Sequence, residues 1–257
     1  PGVDERRAEL LPAGGWILTT AATAFGVKRL VHSEWGLREG AVLDALGLAG
    51  GPAPEPEELR RRSVDRLVRA WGEDPVHVEM VARIAARLFD DTGSLHGLGA
   101  GERELLGHAA RLHEIGARVS PARLHKHGAY LVENAGLRGF DPDQVAVLAS
   151  LVRFSRGKDP RAVYAPFAEL PDDEQEAVVV MSGLLRIAHA IARGPEDELL
   201  DAAAEVRDRE IRIRVSGSAN PDAAVAEALQ AARLLERALQ RRVRIDRVPA
   251  TAETRTA

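Results

Sequence analysis

Apolar residues recur at three- and four-residue intervals from Leu59 to Arg193, a period that predicts an all-helical region. The helices expected there are Glu57–Trp71, Pro75–Asp90, Glu102–Ile115, Ala122–Ala135, Pro142–Phe154 and Asp172–Arg193. The last opens on Asp172, Asp173 and Glu174, an acidic turn suited to the positive end of a helix dipole. After Gly194-Pro195 the period drops to two. Ala203–Arg207 and Ile211–Val215 then read as half-buried strands of a hairpin, turning at Asp208-Arg209 without the favoured Asn-Gly chemistry. A helix Asp222–Gln240 and a strand Val243–Val248 complete a small β-β-α-β unit. Ahead of the helical region, residues 5–25 read as an apolar helix made irregular by Pro12 and Gly14-Gly15. A short strand Arg29–His32 and a helix Leu37–Leu46 follow. The pattern predicts a mainly α protein: a helical bundle, preceded by an α/β segment too short to own a core and followed by a small α/β unit. The boundaries drawn on it are 1–47, a Gly/Pro/acid linker at 48–58, the helical domain at 59–195, the α/β unit at 196–249 and a disordered tail at 250–257.

Composition narrows the classes. An apolar fraction of 45% beside 29% charged residues is that of a soluble globular protein. The absence of cysteine excludes a disulfide framework and thiolate chemistry, and suits a cytoplasmic protein. A formal net charge of −4 gives no global bias toward DNA. No apolar run is expected to span a membrane, and the opening PGVDERRAEL is too charged for a signal peptide. That opening lacks Met, which points to an excised portion of a longer chain.

Two sets of residues then offer chemistry. His77 shares a helical stripe with Val81, Ile84 and Leu88, and His125 one with Ala129 and Val132. His189 shares one with Val178 and Leu185, while His113 lies at the edge of the stripe of Leu106 and Ala110. Each helix so aims an imidazole at or near the bundle interior, where helical domains build metal sites. Singly, each reads as a hydrogen-bonded core histidine; jointly they can find one another, and with Glu114 they outline a metal-dependent phosphohydrolase site. The second set is cationic: Arg118, Arg123, Lys126 and His127 around one helix break, and Arg153, Arg156, Lys158 and Arg161 after another. Brought to one face they form a groove for a phosphate chain; kept apart they are a solvated surface.

The segments carrying these residues, LHEIG at 112–116, HKHGAYLVENAGLRGF at 125–140 and LVRFSRGK at 151–158, resemble the C-terminal half of the Ppx/GppA exopolyphosphatase family. RAELLPAGG at 7–15 and SEWGLREGAVLD at 33–44 look like the end of that family's actin-like phosphatase domain. MSGLLRIAHAIAR at 181–193 looks like the last long helix of its HD-related helical domain. The resemblance implies a hydrolase removing terminal phosphate from polyphosphate, or from guanosine pentaphosphate, with Mg²⁺. Its phosphate-binding loops and catalytic glutamate belong to the actin-like half, and no segment here matches them, so the chemistry is expected upstream of residue 1 and no catalytic residue is carried over.

For the helical domain the resemblance implies a vestigial HD-type metal set at His77, His113, Glu114 and His189, with Glu replacing Asp at 114 and His replacing Asp at 189. The leading expectation is the C-terminal portion of an exopolyphosphatase-like enzyme, a homodimer without membrane or DNA partners. Arg118, Arg123, Lys126, His127, Arg153, Arg156 and Lys158 would line the path of a polyphosphate or phosphorylated guanosine nucleotide. The alternatives are a stand-alone HD-type metallo-phosphohydrolase acting on a nucleotide, and a non-catalytic regulatory or structural module.

Overall fold

The computed structural model describes residues 5–27, 30, 36–46, 55–72, 74–193, 201–216 and 222–248. They divide into two units, Pro1–Ala53 and Pro54–Ala257. In the first unit α1 (Glu5–Ala24) runs unbroken through Pro12 and Gly14-Gly15, where irregularity was expected. A proline inside a helix removes one backbone donor and crowds the carbonyl four residues back, yet α1 continues past Pro12 to Ala24. Its apolar residues Leu10, Leu11, Trp16, Ile17 and Leu18 are exposed. α2 (Leu37–Ala45) has no buried residue. The strand expected at Arg29–His32 falls largely outside the described residues, as does most of the expected linker.

The second unit opens with α3 (Pro56–Trp71), which starts inside the expected linker because Pro56 occupies a first-turn position that needs no N–H. α4 (Pro75–Asp91) follows, its start fixed by the Asp74 carboxylate, which accepts from the amides of Val76 and His77 at 2.9 and 3.0 Å. The short α5 (Gly93–His96) leads to α6 (Ala100–Leu112), whose first turn is tied by Glu102 accepting from the Gly99 amide at 2.8 Å. Here the structure departs from the expected Glu102–Ile115 helix: α6 stops at Leu112, His113-Glu114 forms a turn, and a 3-10 turn spans Ile115–Arg118. α7 (Leu124–Asn134) and α8 (Pro142–Phe154) come next, the latter closed at its start by reciprocal bonds between Asp141 and Gln144. A single-turn α9 (Ala165–Ala168) precedes α10 (Asp172–Ala192).

α10 organises the core. It packs against α4, α6 and α8 of the bundle, and its buried side chains run from Ala177 to Ala192 around most of its circumference. This explains a departure from the sequence expectation: α10 is long and apolar enough to cross a membrane by length and composition, yet 78% of that stretch is buried inside the protein. A helix apolar all round is what a core-centre position requires.

The C-terminal sheet has the order β1-β2-β3, with β1 (Asp201–Val206) antiparallel to β2 (Glu210–Ser216) and β2 parallel to β3 (Arg242–Val248). Val206 pairs with Ile211 across the hairpin, and Ile211 with Val243 across the parallel ladder. The parallel pair needs a crossover, supplied by α11 (Asp222–Ala231) and α12 (Arg233–Leu239), a helical stretch interrupted at Ala232 where one continuous helix was expected. Ile211, Ile213 and Val215 of β2 and Val243 and Ile245 of β3 face inward. α11 and α12 pack on α10, and β1 packs on α4, so these residues join the bundle's buried side chains in one hydrophobic cluster. Bundle and sheet therefore share a core, where the sequence pattern drew two separate domains.

Candidate functional site

The structure brings His77, His113, Glu114 and His189 together, with one donor atom from each within 4.8 Å of the others. They arrive from separate elements: His77 from the first turn of α4, His113-Glu114 from the turn that ends α6, and His189 from the last turn of α10. The early stop of α6 is what turns Glu114 toward the imidazoles. His113 is fully buried and His189 is 7% exposed.

Their hydrogen bonds fix the protons. His113 Nδ1 lies 2.6 Å from the carbonyl oxygen of Ala110, which can only accept, so Nδ1 carries the hydrogen. His113 Nε2 is then a lone pair and accepts from His189 Nδ1 at 2.9 Å. His189 Nε2 is buried and has no partner among the described residues. Both rings stay neutral: burial pushes His113 down to about 4, with the Glu114 charge opposing it, and burial next to His113, Arg156 and His77 lowers His189 strongly. Glu114 accepts from Arg156 Nη2 through Oε1, while its oxygens lie 3.8 Å from His77 Nε2 and 3.8 Å from His113 Nε2. Burial lowers the pKa of Arg156, and Glu114 counters that.

Arg156 also belongs to a second group. His125, half-buried on α7, is pushed down to about 4 by burial and then by the charges of Arg153, Lys126, Arg156 and Arg186. Among the described residues no carboxylate forms an ion pair with Lys126 or Arg153; the Arg153 guanidinium lies 5.7 Å from the ring centres of Phe154 and Tyr164. The loop after α8 is tied down by Arg186, which donates to the carbonyls of Phe154 and Lys158 at 2.7 Å each and to Asp159 at 2.9 Å. Asp159 is bridged onward to Arg237 at 2.5 Å.

Of the expected cationic residues, Lys126, Arg153 and Arg156 thus act on one imidazole. Arg123, His127 and Lys158 lie on the same segments, and Arg118 reaches instead toward the carbonyl of Gly72 at 3.4 Å. Arg186 was not among the expected site residues. Its signal was present as a lone arginine in VVVMSGLLRIAHAIA, where an uncompensated charge would be costly.

The fold and the site define a helical domain with an interior imidazole–carboxylate cluster joined through Arg156 to a group of cationic side chains. Its sequence matches the family model "Ppx/GppA phosphatase, domain III" over residues 59–241, and the chain belongs to that family. The match covers the bundle and runs through α12 up to the start of β3. The Mg²⁺ implied by the family resemblance does not fit the histidine cluster. Mg²⁺ takes hard oxygen donors and retains waters, whereas three imidazoles and one Arg-paired carboxylate offer mostly nitrogen.

Proposed function

We propose that this member of the Ppx/GppA phosphatase family binds the phosphate chain of its substrate, polyphosphate or guanosine pentaphosphate, and leaves the bond-breaking residues to an actin-like phosphatase domain. One arrangement carries the reading: Lys126 of α7 and Arg153 of α8 both act on the His125 ring, beside Arg156 and Arg186, which are paired with Glu114 and Asp159. Lys126 and Arg153 lack a carboxylate partner among the described residues, so their charge is available to an external anion. A phosphate chain presents repeated anionic oxygens, which guanidinium forks bind in bidentate fashion. The exposed apolar residues of α1 support the further part of the proposal, that the N-terminal unit and its like pack against other protein surface.

Binding of this kind is largely Coulombic and weakens steeply as salt shortens the screening length from about 30 Å at 0.01 M to about 8 Å at 0.15 M. Titration of the chain with long-chain polyphosphate at those two ionic strengths tests the proposal. Tight binding at low salt that falls sharply at the higher salt is expected, and no binding at low salt removes the reading.

A further inference from the structure

We propose that His77, His113, Glu114 and His189 bind one divalent transition-metal ion of the Zn²⁺, Co²⁺ or Ni²⁺ type, closing α4, the end of α6 and α10 onto one another. The proposal stands apart from phosphate-chain binding.

The donor set points to the ion. Imidazole suits Zn²⁺, Co²⁺ and Ni²⁺, while Mg²⁺ and Ca²⁺ select oxygen. A metal-ligating histidine characteristically gives its other ring N–H to a carbonyl or carboxylate, and His113 Nδ1 does so to Ala110, which turns Nε2 toward the other donors. A ligating carboxylate is itself held by an outer partner, and Arg156 holds Oε1 of Glu114 while Oε2 faces His77. His189, a ring only 7% exposed, brings its Nδ1 to within 2.9 Å of His113 Nε2, so two buried ring nitrogens already meet at one point.

The spacing fits as well. Metal–nitrogen bonds of about 2.1 Å place tetrahedral donors about 3.4 Å apart. The contacts of 2.9 Å between His113 and His189 and 3.8 Å from His77 to Glu114 Oε2 bracket that value, and the four donor atoms all lie within 4.8 Å of one another. The ion takes the place of the proton that the two imidazoles now share. That proton passes to the other nitrogen of the His189 ring, so no imidazole changes charge. With four protein donors the site is closed, the arrangement of a structural rather than a hydrolytic metal.

The test uses the chelator-stripped full chain, titrated with Zn²⁺ and separately with Mg²⁺ by calorimetry and thermal unfolding. Co²⁺ serves as the spectroscopic probe through its visible ligand-field bands. Wild type is expected to take up one equivalent of Zn²⁺, to unfold at higher temperature as free Zn²⁺ rises, and to give tetrahedral-type Co²⁺ bands. His77→Gln and Glu114→Gln alter side chains with partial exposure, unlike the fully buried His113, and are expected to fold. Each should weaken Zn²⁺ binding at least about tenfold. Zn²⁺ uptake equal in wild type and in both variants, or equal stabilisation by Mg²⁺, overturns the proposal.

Discussion

The histidine cluster and the group around His125 are made from the same chemistry, imidazole beside guanidinium, and they meet at Arg156. In the cluster every charge is answered from within: a carbonyl takes the His113 proton, His189 donates to His113, and Arg156 lies on Glu114. Around His125 Arg156 and Arg186 are answered by Glu114 and Asp159, but Lys126 and Arg153 have no carboxylate to answer them among the described residues. Burial accounts for the difference. An interior group must be satisfied by protein, whereas a half-exposed one is satisfied by water until a stronger partner arrives. The closed region therefore reads as a clamp on the fold, and the open one as a surface awaiting an anion.

The sharpest way to break the comparison is to part the segments that carry the two regions. Gly116 sits just after Glu114 and against α7: a Cβ built there would come within 2.0 Å of the Leu124 carbonyl oxygen and 2.4 Å of the Gly128 amide nitrogen. Backbone atoms cannot yield as a flexible side chain can. Gly116→Ala is expected to lower stability by about 3 kcal/mol in urea unfolding, a typical cost of severe overpacking, and to weaken polyphosphate binding with it. A variant as stable as wild type would contradict the close packing of α7 on this turn.

A smaller effect is expected at Arg186, which ties the loop carrying Arg156 and Lys158 to α10. Arg186→Met keeps the apolar stem but strips the donors from two carbonyls and Asp159, and should cost about 2 kcal/mol in the same assay. Because Asp159 keeps Arg237, the bridge to α12 should survive.

The pH dependence sharpens the contrast further. His125 has its pKa at about 4 in the folded protein against an ordinary 6.5, so the folded state binds fewer protons than the unfolded one. Its contribution to stability is complete above about pH 6.5 and is lost as pH falls toward about 4. A bound phosphate chain offsets the cations that help to hold it down, namely Lys126, Arg153, Arg156 and Arg186. Binding should therefore take up a proton, and affinity should rise as pH falls through that window. Titrations at about pH 7.5 and about pH 5.5 check this, and His125→Gln should flatten the difference.

Much of this was legible in the sequence, for identifiable reasons. The apolar stripe of His77, Val81, Ile84 and Leu88 has a strict helical period, and it forms the buried face of α4 that brings His77 to the cluster. Pro75, Pro142 and Asp172 stand at or next to the starts of their helices, where local chemistry dominates. The alternation of Ile211, Ile213 and Val215 marked the inner face of β2.

What stayed hidden was decided by tertiary contacts. Nothing local requires α6 to stop at Leu112; the His113 ring, bonded back to Ala110 and across to His189, accompanies that stop. The sharing of one core by bundle and sheet depends on α11 and α12 lying on α10, which no period reveals. The cationic residues were visible one by one, but which of them converge was set by the loop that Arg186 holds.

The central claim is that Lys126 and Arg153 serve an external phosphate chain rather than the fold. It is tested most directly by the charge-reversed pair Lys126→Glu with Arg153→Glu. Long-chain polyphosphate is titrated into wild type and variant at about 0.01 M and about 0.15 M salt, with urea unfolding run alongside. The account predicts an affinity loss of about a hundredfold at low salt, a flatter salt dependence, and stability within about 1 kcal/mol of wild type. Unchanged polyphosphate affinity in a folded variant would contradict it.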